Sequence, residues 1–94
     1  MRRILKYEVY PNGVPVRYKG HFKHFLEAKM LSDGRMYVWV ETDDKSTEEW
    51  EVEFISFGTG WDIDEIVCGE IMGYIGTIED MDGYVWHIYV REVC

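Results

Sequence analysis

Cysteine is scarce in this 94-residue chain: Cys68 and Cys94 are its two, too few and too isolated for a disulfide framework or a cysteine metal motif. No apolar run approaches the length that crosses a bilayer as a helix. Met1-Arg2-Arg3 is basic, but Ile4-Leu5-Lys6-Tyr7-Glu8 brings charge too soon for a signal-peptide core. The expectation is a soluble protein of a reducing cytosol, with no membrane partner. Internal repeats and low-complexity segments are absent as well, so residues 1–94 are expected to form a single domain. Basic side chains are also scarce after position 35. Residues 36–94 carry two Lys or Arg against fifteen Asp or Glu, whereas residues 1–35 carry eight against three.

A duplex-binding protein gathers Lys and Arg on one face to displace phosphate counterions. Most of this chain would repel phosphate, so direct nucleic-acid binding is not expected, although the basic N-terminal third leaves room for a local patch. The net charge of −8 suits solubility, a basic protein partner or mimicry of nucleic-acid charge. What is present in quantity is apolar and aromatic: 47% hydrophobic and 16% aromatic residues fit a packed globule and exclude a disordered chain.

Alternation is the dominant local pattern. Leu5, Tyr7 and Val9 oppose Lys6 and Glu8, a half-buried strand that Pro11-Asn12-Gly13 stops. Pro15 keeps the following stretch extended or at an edge. Residues 25–42 read as a hairpin closed by a two-residue Asp33-Gly34 turn. That closure pairs Met30 with Tyr37 and Ala28 with Trp39, and predicts a core face of Leu26, Ala28, Met30, Tyr37 and Trp39. Trp50, Val52 and Phe54 alternate inward along the next strand, and Ile55 and Phe57 then break the phase, which predicts a bulge or burial on both faces. Asp62 to Cys68 has the spacing of a short helical turn capped by Asp62. Residues 71–79 and 84–93 form a second hairpin around Asp80-Met81-Asp82-Gly83. Its last strand is apolar at nearly every position, as in a central or doubly covered strand. The expected fold is mainly β: a small antiparallel sandwich or partly open barrel of five to six strands, with one short helix at most.

Few residues carry a chemical pattern. His21 and His24 stand three apart but precede a strand and lack a third ligand, so no metal site is expected. His87 sits in an aromatic strand without a nucleophile motif, and a hydrolase using His87 with an acid ranks last. Asp62, Asp64 and Glu65 lack the twelve-residue spacing of a calcium loop. Gly58-Thr59-Gly60 after a strand could offer backbone N–H groups to an anion, but the P-loop lysine is missing. Trp61, in a turn between glycine and aspartate, is the best aromatic anchor for a partner; Tyr10, Tyr18, Tyr37 and Tyr89 are further surface candidates.

The order of short motifs resembles a family of small, uncharacterised proteins of tailed phages and prophages. The resemblance rests on Lys6-Tyr7-Glu8, Asp33-Gly34 before Trp39, Phe57-Gly58-Thr59-Gly60, Gly73-Tyr74-Ile75-Gly76-Thr77 and Val85-Trp86-His87. It spans nearly the whole chain. Trp61-Asp62 stands where a His-Pro-like step is expected, and residues 10–24 match poorly. The resemblance implies a phage accessory protein acting in the cytoplasm of the infected bacterium, and no activity. Combined with the charge, it leads to a non-enzymatic protein that binds and inhibits a host macromolecule, such as a defence component. The expected contact residues are Asp43, Asp44, Glu49, Glu51, Glu53, Trp61, Asp62 and Asp64. The alternative is a small-ligand binder that sequesters a nucleotide signal with Gly58, Thr59, Gly60 and His87. No cofactor is expected, and pairing of two copies through the final hairpin is open.

Overall fold

The structure is a computed structural model that describes residues 1–45, 47–62 and 71–93, with residues 71 and 72 described by their backbone. The described residues form seven strands: β1 (Arg2–Val9), β2 (Val16–Gly20), β3 (Phe22–Met30), β4 (Met36–Asp43), β5 (Trp50–Gly58), β6 (Ile71–Glu79) and β7 (Val85–Glu92). All pairs are antiparallel, in a three-stranded sheet of order β1-β4-β3 and a four-stranded sheet of order β2-β5-β7-β6. This is the small sandwich expected from the sequence, without barrel closure. No described residue is helical, and the expected helical turn lies, after Asp62, outside the described residues.

Seven strands replace five to six because the stretch after Pro15, read only as extended, is a strand of its own, and the hairpin arm expected from residue 25 begins at Phe22 on the other sheet. The chain switches sheets at His21, whose carbonyl accepts the Asp43 N–H at 3.0 Å. Gly20 permits the bend: a Cβ there would stand 3.2 Å from the Phe22 ring. Val16 opens β2 directly after Pro15, and β2 is an edge strand, where the missing proline N–H costs no ladder bond. β7 lies between β5 and β6, the central place that its unbroken apolar run predicts.

One core fills the space between the sheets. Phe54 is fully buried at its middle, within 6.0 Å of the rings of Tyr7, Tyr18 and Phe25. Toward the other end Val9, Met36, Val38, Ile88 and Trp86 continue the layer. Side-chain bonds to backbone tie the sheets along one side: Tyr18 Oη donates to the Glu8 carbonyl at 2.9 Å, and the buried Ser56 Oγ donates to the Tyr10 carbonyl at 2.6 Å. Along the other side β3 and β6 meet, both bulged, and a Cβ on Gly76 would lie in ordinary contact with Ala28 Cβ, at 3.5 Å. Residues Val52 to Phe57 are all buried while the pairing of β5 with both neighbours runs without a shift. Burial on both faces therefore explains the broken alternation at Ile55 and Phe57, and a bulge does not.

The first hairpin corrects the sequence reading. Leu31 N–H donates to the Arg35 carbonyl at 3.0 Å and Gly34 N–H to the Leu31 carbonyl at 2.9 Å, so three residues, not two, form the loop. A two-residue Asp-Gly turn needs positive φ at both positions, and here only Gly34 has it, at 80°. The register moves by one: Met30 faces Met36 and Ala28 faces Val38. A one-residue slip turns every side chain to the other face. Met36, Val38 and Val40 therefore enter the core with Ala28 and Met30, while Tyr37 and Trp39 meet edge to face on the outer face at 6.3 Å. Leu26 falls at a bulge and is exposed. Trp50 also departs from its expected burial: as the first residue of β5 it reaches past the core and is 39% exposed.

Candidate functional site

The antiparallel register sets much of the acidic half of the chain against its basic third. β1 lies on β4 with Arg2 opposite Asp43, and β2 lies on β5 with Arg17 opposite Glu53 and Lys19 opposite Glu51. Asp43 and Asp44 accordingly receive Arg2, Arg3 and the N-terminal ammonium, with Arg3 3.3 Å from Asp44. Glu53 is held between two guanidinium groups, Arg91 at 2.9 Å and Arg17 at 3.2 Å, and its side chain is 11% exposed. Burial alone would raise the Glu53 carboxyl, but the hydrogen bonds from Arg91 and Arg17 outweigh it and hold its pKa below the ordinary value. Glu53 therefore serves the fold and offers little to a partner, whereas Asp43 and Asp44 are paired with water-exposed bases.

Glu49 and Glu51 are placed differently. With Glu48, Glu92, Trp50 and Val93 they line an open groove of about 640 Å³ where β5 begins and β7 ends. Their own bases are water-exposed, Lys19 3.2 Å from Glu49 and Arg17 3.5 Å from Glu51. His21 binds the same corner, with Nδ1 2.8 Å from the Glu48 carbonyl. Glu48, Trp50 and Glu92 did not figure among the sequence candidates. The signal for Trp50 lay in its place at the mouth of a strand, after a polar run of sequence.

At the opposite end of the four-stranded sheet is a second cavity, of about 600 Å³, lined by Gly58, Thr59, Trp61, Gly83, Tyr84, Val85 and Trp86. The chain turns at Gly58–Trp61, where Trp61 N–H donates to the Gly58 carbonyl at 3.0 Å. Gly60 at φ 87° gives the positive angle that the third position of a type II turn requires. The turn lays the Trp61 indole over bare backbone. A Cβ on Gly58 would fall 2.7 Å from Trp61 Nε1, and one on Gly13 2.6 Å from Cζ3. The indole meets Trp86 edge to face at 5.2 Å and 87°, yet stays 49% exposed. Thr59 Oγ1 is 2.8 Å from His87 Nε2, and His87 Nδ1 is 3.2 Å from Thr77 Oγ1. Of the residues named for the ligand-binding alternative, Gly58 and Thr59 line the cleft, and Gly60 and His87 adjoin them without being part of its lining. Tyr84, 67% exposed beside them, was missed in the sequence although it directly follows the turn glycine. Of the other tyrosine candidates Tyr10 is exposed, Tyr18 and Tyr89 are half-buried, and Tyr37 is buried.

The two sets are therefore not one surface. Trp61 and the exposed Asp62 stand at the turn end, Glu49 and Glu51 at the other, and Asp64 lies outside the described residues. Among the described residues no group of three His, Cys, Asp or Glu side chains is placed to hold a metal ion, and no helix is long and apolar enough to cross a membrane.

Residues 1–93 match the family model of DUF7352, a domain of unknown function. The chain belongs to this family. No curated protein and no solved structure matches it.

Proposed function

We propose that the protein is a non-enzymatic phage accessory protein that binds, and thereby inhibits, a basic macromolecule of the infected bacterium. The observation that supports this is the groove in which Glu48, Glu49, Glu51 and Glu92 surround the half-exposed Trp50. Carboxylates around an aromatic ring suit a Lys- or Arg-rich protein segment, the ring supplying contact area and the acids charge complementarity. The bases now facing Glu49 and Glu51 do not block this. Exposed ion pairs contribute about 0–1 kcal/mol each, so a partner's cations can replace them at small cost. The phage setting rests on the motif resemblance, and the inhibitory role on the small size of the chain, its acidic C-terminal two-thirds and its aromatic surface candidates.

Affinity capture from bacterial lysate, run with the wild type, with Trp50→Ala and with Glu51→Gln/Glu92→Gln, tests the reading. A protein retained by the wild type, lost from both variants and released as salt rises is the expected result. Retention that ignores both the substitutions and salt would sink it.

Nucleotide sequestration is the second reading, favoured by the contact of Thr59 with His87. Its weakness is electrostatic, since none of the residues lining that cleft is Lys or Arg.

A further inference from the structure

We infer that the cleft between Trp61 and Tyr84 is a binding site for a guanidinium group, that is, for an arginine side chain presented by a protein. The site is separate from the acidic groove and lies at the other end of the sheet.

Shape comes first. The cleft falls in the size range of small-ligand sites, which runs to several hundred Å³. Trp61 and Tyr84 are its exposed walls and Trp86 its buried floor. Trp61 is held in place from behind by Gly58, Gly13 and Trp86, so its free face is presented without rotamer freedom to lose. A flat ligand layered on a fixed indole face is the geometry this allows.

Charge then selects among flat ligands. The turns at this end comprise residues 8–15, 30–36, 57–62 and 79–85, and carry six carboxylates against one guanidinium, Arg35. Arg35 already faces Glu8 at 3.9 Å. An anionic ring system would enter a negative field with no base at the lining, whereas a cation is attracted. The floor adds to this. Trp86 Nε1 donates to the Asp80 carboxylate at 2.9 Å, which makes that indole more electron-rich and its face more negative. Among cations, guanidinium is planar, weakly hydrated and stacks on aromatic faces, while an ammonium is compact and holds its water. Thr59 also lines the cleft, so its signals report on a ligand bound there.

The test is an NMR titration of the full chain with acetyl-arginine amide, acetyl-lysine amide, acetyl-citrulline amide and AMP, read on the indole N–H and Thr59 signals. Citrulline keeps the shape of arginine and removes the charge. Arginine should shift Trp61, Trp86 and Thr59 in a saturable way, lysine less, and citrulline and AMP not at all. Tyr84→Ala removes an exposed wall with little risk to folding and should weaken arginine binding about two- to thirty-fold, the range for loss of one cation–π partner. Glu51→Gln, in the other groove, should leave it unchanged. Equal shifts with citrulline, or arginine binding that survives Tyr84→Ala, would overturn the proposal. Because the acidic groove is probed by different variants, loss of this site leaves the proposed function standing, and the reverse holds too.

Discussion

At the scale of single residues, the groups with the firmest roles are carboxylates that the fold has already engaged. Glu53 accepts from Arg91 and Arg17 while nearly buried, so removing its charge takes from Arg91, itself only 13% exposed, its counter-ion among the described residues. Glu53→Gln should cost about 1–3 kcal/mol, below the figure for a fully buried pair because the Arg17 end is in water. Urea denaturation measures it, and Glu49→Gln should change stability by less than about 1 kcal/mol. Asp80 carries a pH dependence. Its carboxylate accepts the indole N–H of Trp86 first of all, then the backbone N–H groups of Tyr84 and Asp82, and its pKa is held below the ordinary value. A depressed folded-state pKa means stability that is present above the unfolded value, about 3.9, and is lost as pH falls through the folded one. Thermal melts should therefore show the wild type losing stability below about pH 4. Asp80→Asn should be less stable at neutral pH and flatter across that acid window. Asp33, bonded to the Tyr37 hydroxyl and the Arg35 N–H, has a lowered pKa too and adds to the same slope in both proteins.

Elements show where the sequence was legible and where it was not. Strand identity followed from alternation, as in Leu5, Tyr7 and Val9, and centrality followed from the apolar run of β7. Register did not, because Asp33-Gly34 is compatible with two loop lengths and the choice lies in one φ angle and two backbone hydrogen bonds. The split of β2 from β3 was equally hidden. It takes place across His21, where the composition does not change, and is decided by which strand each half finds as a partner. For the candidate sites, the turn Gly58-Thr59-Gly60 and Trp61 were visible as a local pattern, and Thr59 did meet His87. The neutralisation of Asp43, Asp44 and Glu53 was not visible, since it depends on pairing between residues some forty positions apart. The Gly58–Trp61 turn also gives a prediction of its own. A methyl at Gly58 would collide with Trp61 Nε1 and Cε2, at 2.7 and 2.8 Å. Gly58→Ala should push the indole out of its seat, with tryptophan emission moving to longer wavelength and arginine binding in the cleft lost. Gly76→Ala is the matched control, because its methyl would meet Ala28 at an ordinary contact distance. Unchanged emission in Gly58→Ala would mean that the indole is not seated on that glycine.

Taken as a whole, the molecule is built from pairings that are distant in the chain. Two hairpins, β3–β4 and β6–β7, are local, but β1 must find β4, β2 must find β5, and β5 must find β7 across the sheet. Neither sheet can form alone with a sealed core, since Phe54 from one packs with Tyr7 and Phe25 from the other. The sheets should therefore unfold together, in one transition seen alike by tryptophan emission and by far-ultraviolet dichroism. Folding must close these long loops before the core rewards them, which places such topologies in the millisecond-to-second range. Stopped-flow refolding should show a single phase in that range, with a transition state that has already buried most of the native surface. The variants above sharpen the expectation. Glu53 joins β2, β5 and β7, three strands whose pairings β2–β5 and β5–β7 both span remote parts of the chain. If those pairings form the nucleus, Glu53→Gln slows folding, whereas Asp80→Asn, at a local turn, mainly speeds unfolding. The opposite assignment, with Asp80→Asn slowing folding, would place the nucleus in the β6–β7 hairpin and leave the β2–β5 pairing to form late.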